Sequence, residues 1–196
     1  EMALVASLTL AYLIYRTRSL VRPVVTVAAA VLVFAVVTTP VLTDQLSLSF
    51  SQPQLFAGYL VLTYLLVIVT LGLADKKTAS TILKRIRLRG IHFPAMALFG
   101  SFLVHPRILA TNFPDDLGLI IAATFIVFLE WQTATVFDDI YDRGQGARVM
   151  PGYLAYGILT GVMAVFSAIP FGILPFVLTI LGVYLVIDYP RLRRMH

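Results

Sequence analysis

Cysteine is missing and charge is scarce: the 196-residue chain has no Cys, and only 13% of it is Asp, Glu, Lys or Arg. The first absence excludes disulfides and any cysteine-liganded metal or cluster. The second, beside 59% hydrophobic residues and a mean hydropathy of +0.90, excludes a soluble domain, because a chain this size cannot bury so much apolar surface. Acids are the scarcer sign, 10 Asp+Glu against 15 Lys+Arg, for a net charge of +5. Basic residues in a membrane protein mark its cytoplasmic face, so no nucleic acid is needed to explain them. No secretory cleavage pattern is visible. The first residue is Glu1 rather than Met, which reads as a trimmed or processed chain.

What is present is a series of apolar stretches. Seven can be marked off, at about 2–15, 23–43, 55–74, 91–109, 118–137, 152–169 and 172–189. A full helical span takes about 20 residues, so the first is partial. The expected fold is an all-α polytopic transmembrane bundle of about seven spans. Loops 16–22, 75–90 and 138–151 and the tail 190–196 carry 14 of the 15 basic residues, with Arg107 alone on the other side. That bias places these loops in the cytoplasm and makes the chain an integral membrane protein in contact with lipid.

The chain divides into N-terminal helices 1–74, a basic loop 75–90 and a C-terminal part 91–196. In "DKKTASTILKRIRLRG", residues 75–90, Ile82, Leu83 and Ile86 share one helical face among cations, a pattern that predicts a short helix in the lipid interface. Either these cations are a positive-inside anchor, or some, Lys84 or Arg85 among them, hold an anionic substrate. "VRPVVTVAAAVLVF" and "RGIHFPAMALFGSF" open comparable pairs of spans, which points to residues 1–74 as a repeat of the later part. "IPFGILP" reads as a tight outer turn rather than the broken helix of a transporter.

One stretch concentrates the acids: "TATVFDDIYDRGQGAR", residues 133–148, puts Asp138, Asp139 and Asp142 where an apolar helix ends. Spacings of three and four overlap these carboxylates on one face. The negative end of the helix dipole favours a cation there. Oxygen ligands without His or Cys suit Mg²⁺, which is normally held by one or two carboxylates and by substrate phosphates. Arg143 and Arg148 would then grip the remaining phosphate oxygens. The plainer reading is a solvated acidic loop balanced by those arginines. Glu130 lies eight residues before Asp138 and is expected on the same side, deeper in the membrane, where an ionisable group marks a functional site unless it is merely hydrogen-bonded to another helix.

Two families invite comparison. The D-G-x2-A-R-x8-G-x3-D-x3-D pattern of CDP-alcohol phosphotransferases fails, because its acid positions fall on Arg143, Gly161 and Val165. "DDIYD" resembles the first aspartate-rich motif, N-D-x2-D-x3-D, of the UbiA superfamily of intramembrane prenyltransferases. Asp138 stands at the Asn position, and Asp139 and Asp142 at the first two acids. "ILKRIRLRGIHFPAMALFGSF" resembles the opening of that family's first helix and "LGVYLVIDYPRLRR" the end of its fourth. The resemblance covers about 82–196 and implies a UbiA-like four-helix group in the C-terminal part. It also implies transfer of an isoprenyl group from a prenyl diphosphate, Mg²⁺ on Asp139 and Asp142 with Asp138 in support, and substrate contacts from Arg143, Arg148, Lys84, Arg85 and Glu130. The pattern departs at Gly146, where the third acid belongs, and the family's second acidic motif has no counterpart in the sequence. The chain therefore reads as such an enzyme, a fragment or a divergent member. The other reading is a non-catalytic subunit of a larger membrane complex, packing against partner helices and lipid, quinone or pigment.

Overall fold

The computed structural model describes residues 2–42, 52–74, 76–85, 96, 100, 113–142 and 151–193. Among them there is no strand. The helices are α1 (Met2–Thr17), α2 (Val21–Leu42), α3 (Gln52–Ala74), α4 (Lys76–Arg85), α5 (Phe113–Asp142), α6 (Pro151–Ala168) and α7 (Ile173–Arg193), with a 3-10 turn at Ile169–Phe171. Three are long and apolar enough to cross a membrane, over Gln54–Leu73, Leu117–Ile140 and Pro151–Phe171; the apolar parts of α1, α2 and α7 are shorter. Of the expected span 91–109, only Met96 and Gly100 are described, both buried.

Proline shows where the helices begin. Pro23, Pro53, Pro114, Pro151 and Pro175 all fall in a first turn, where the missing N–H would have had no helical partner. The α6–α7 connection is the tight turn expected from "IPFGILP". Gly172 donates its N–H to the Ile169 carbonyl at 3.1 Å and has φ 112°, a value that favours glycine.

α5 is the central helix, packed against α3, α6 and α7, while α1 meets α2, α3 and α6. Leu60, Tyr64, Val67 and Leu71 of α3, Ile126, Leu129 and Val136 of α5, and Tyr156, Leu159 and Met163 of α6 form the core. Two contacts fix which ends coincide. Phe56 at the start of α3 lies 6.0 Å, ring to ring, from Phe171 at the end of α6. Tyr153 at the start of α6 reaches Asp139 at the end of α5. The end of α3, α4, the end of α5 and the start of α6 therefore share one end of the bundle. The α1–α2 turn joins them, because Leu13, Thr17 and Val21 line one groove with Leu73 of α3, and that end carries Arg16, Arg18, Arg22, Lys76, Lys77 and Lys84.

α4 is a short helix, as its pattern predicts, and it is docked on the bundle. Ile82 is fully buried and Leu83 is 62% exposed, so the two do not share a buried face. The helix docks on α3 and α6, with Ala79 against Gly72. The protein core, rather than lipid alone, takes its apolar side. Ile86 lies outside the described residues.

Candidate functional site

The acidic cluster sits at the C-terminal end of α5. At about 1.5 Å per residue, its 30 residues span about 45 Å, more than the ~30 Å hydrocarbon layer. The apolar part stops at Ile140. Asp138 and Asp139 are among the last three residues of that stretch, and Asp142 lies two residues past it.

Asp138 is exposed and Asp139 half-buried. The Tyr153 hydroxyl donates to Oδ2 of Asp139 at 2.8 Å, tying the end of α5 to the start of α6. This bond orients the carboxylate and uses one of its roughly four lone-pair sites. Asp142 closes α5, with its side chain outside the described residues, as are Arg143 and Arg148. Lys84 is exposed at the same end of the bundle. Arg85 closes α4, and its side chain too lies outside what is described. Among the described residues, no three carboxylate or imidazole groups come together.

Glu130 does not join this cluster. Its carboxylate packs on α7, where a Cβ on Gly182 would stand 3.3 Å from its Oε1, and it lies beside the Thr179 hydroxyl. That hydroxyl is buried and makes no hydrogen bond among the described residues. Nine residues separate Glu130 from Asp139, about 900° of helix, or half a turn out of phase. One acid faces α7 and the other Tyr153 of α6. Expecting Glu130 on the acid side of the helix overlooked this rotation.

Between the two acids runs a polar seam. Tyr156 donates to Gln132 Oε1 at 3.3 Å and lies 2.8 Å, hydroxyl to hydroxyl, from Tyr64. With its proton on Gln132, Tyr156 is the acceptor and Tyr64 the donor. The edge of Tyr64 meets Phe125 and Phe128, each at 5.5 Å. The Thr133 and Thr160 hydroxyls lie 3.0 Å apart. In hydrocarbon such groups need internal partners, and here every one has them. The polar stripe after Glu130 is legible in the sequence, but its partners on α3 and α6 are not. Tyr153 and Tyr156, three residues apart in "GYLAYG", were the available signal, since that spacing puts both hydroxyls on one helix face.

No family model, no curated protein and no solved structure matches the chain.

Proposed function

We propose that the chain is a UbiA-like intramembrane prenyltransferase or a divergent member of that superfamily, with the acidic end of α5 as a Mg²⁺-dependent diphosphate site on the cytoplasmic side. The observation that carries this reading is the placement of Asp139. Its carboxylate stands at the end of the apolar stretch of α5, oriented by Tyr153 across the α5–α6 contact, at the end of the bundle where the described cations gather. The reading takes the described apolar helices together with segment 91–109 as seven spans, and the basic end as cytoplasmic on the 14-to-1 split of Lys and Arg.

The donor set fits the ion: hard carboxylate oxygens in one helical turn, at the negative end of a helix dipole. Asp139 and Asp142 would hold Mg²⁺, with Asp138 in support. Held by these carboxylates, Mg²⁺ would supply positive charge to offset that of a departing diphosphate. Arg143, Arg148, Lys84 and Arg85 supply donors to the diphosphate oxygens. Tyr153 fixes the Asp139 rotamer. The apolar surfaces between helices take the isoprenoid tail and keep water from the allylic carbon. Glu130, facing α7, stands outside this site.

A second reading, the non-catalytic subunit, is favoured by the closeness of the α5–α6 contact and by the aromatic side chains filling the space between α3, α5 and α6. One experiment separates the two. The Asp139→Asn, Asp142→Asn double variant keeps an acceptor for Tyr153 and leaves folding intact. Titration calorimetry in detergent should show Mg²⁺-dependent prenyl diphosphate binding by the wild type, weakened at least about tenfold in the variant. Equal binding by both proteins, or none by the wild type, favours the subunit.

A further inference from the structure

At the basic end, away from the acids, the final turn of α1, the first turns of α2 and the end of α3 enclose a groove of about 380 Å³. That is within the ~300–1,000 Å³ typical of small-molecule sites. Leu13, Val21, Val25 and Leu73 form its apolar wall, with Arg22 and Thr26 among the polar residues that line it. No acid lines it, and none occurs in the sequence from Met2 to Thr43.

The hydroxyls narrow the chemistry. Thr26 donates its proton to the Arg22 carbonyl at 2.8 Å, and Thr17, also in the lining, donates to the Leu13 carbonyl at 2.8 Å. Toward a ligand, the Thr26 oxygen therefore presents lone pairs rather than a proton, while the Thr17 oxygen already accepts the Ser19 N–H at 3.4 Å. Arg22 presents positive charge. The complementary molecule carries an anion for Arg22, a hydroxyl donor for Thr26 and hydrocarbon for the wall.

We propose that this groove binds one anionic phospholipid with a hydroxyl-bearing headgroup, drawn from the leaflet at the basic end. Its phosphate pairs with Arg22, a headgroup hydroxyl donates to Thr26, and an acyl chain lies along Val25 and Leu73. A positive-inside anchor alone would attract any anionic surface without distinguishing one lipid at a defined site. The proposal uses the membrane reading of the helices but neither the acidic cluster nor prenyl transfer, so either can fail without the other.

The test is native mass spectrometry of the full chain in detergent, titrated with phosphatidylglycerol, phosphatidylcholine or the free headgroup glycerophosphoglycerol. Phosphatidylglycerol should bind at least about fivefold tighter than phosphatidylcholine, the worth of one Arg near a membrane surface. Arg22→Gln should abolish that preference, and Arg22→Lys should keep it. Val25→Trp fills the slot at a position already 61% exposed and should lower the occupancy of both lipids. Circular dichroism checks folding, and Arg22→Gln decides alone if the Trp variant unfolds. Equal binding of the two lipids, a preference that survives Arg22→Gln, or free headgroup binding as tightly as the lipid would overturn the proposal.

Discussion

At Gly157 a side chain has no room. A Cβ there would lie 2.6 Å from Cγ1 of Val136 and 2.9 Å from its Cβ. α5 and α6 approach this closely because one of them carries only hydrogen at the contact, the usual device where lipid offers no hydrophobic drive for association. Gly157→Ala should destabilise the protein by about 1–3 kcal/mol through forced separation of the helices. Gly58 is the control, since a Cβ there meets nothing within 4 Å, and Gly58→Ala should be neutral or slightly stabilising. Thermal unfolding of both variants in detergent reads the difference. A fall in stability of equal size for the two would show that the α5–α6 contact is not this close. The same scale explains the tyrosine pair. Tyr64 and Tyr156 satisfy each other and Gln132, where a lone hydroxyl or amide in hydrocarbon would cost several kcal/mol.

Among the elements, α4 has the most revealing packing. Its sequence is mostly polar, and an isolated helix of 10 residues is marginal in water. Docking holds it, through Ile82 in the core and Ala79 on Gly72. Ile82→Ala should remove about 2–5 kcal/mol from that docking. Leu83→Ala, at a side chain 62% exposed, should remove little. Limited trypsin digestion checks this, because release of α4 frees the backbone around Lys76 and Lys84 for cleavage. Cleavage there should accelerate in the Ile82 variant and stay at the wild-type rate in the Leu83 variant. Equal rates in all three proteins would mean that Ile82 does not anchor the helix.

For the whole molecule, the consequence is one of ends. The contacts of Phe56 with Phe171 and of Asp139 with Tyr153 set α4 at one end and the α6–α7 turn at the other, and the groove that Leu13, Thr17 and Val21 share with Leu73 sets the α1–α2 turn beside α4. The absence of natural cysteine makes this directly measurable. Single cysteines at Ser19 and Ser80 should react with an impermeant thiol reagent from the same face of sealed vesicles, and one at Ile173, 77% exposed, from the opposite face. Labelling of all three from one side would break the spanning arrangement. Cytoplasmic labelling of positions 19 and 80 in oriented vesicles would agree with the distribution of Lys and Arg.

Composition and order along the chain determined a good deal unaided. They gave the all-helical class with stretches apolar enough to cross a membrane, the positions of the described apolar helices to within a few residues, the turn at Ile169–Gly172 and the clustering of acids at one helix end. These follow from hydropathy, proline and glycine, which act locally and need no partner. Facing was another matter. α3 is apolar nearly all round, so its protein and lipid sides carry the same residue types, and periodicity cannot choose between them. Glu130 is a different case: the nine residues between it and Asp139 already put the two half a turn apart, and packing adds only that its side meets Gly182 of α7. On α4, docking decides that Ile82 enters the core while its neighbour Leu83 stays exposed. Tertiary packing made these choices through the features that do distinguish one side from another in hydrocarbon. These are glycines that let backbones approach, as at Gly157, and polar groups that must find each other, as Tyr156 finds Tyr64 and Gln132.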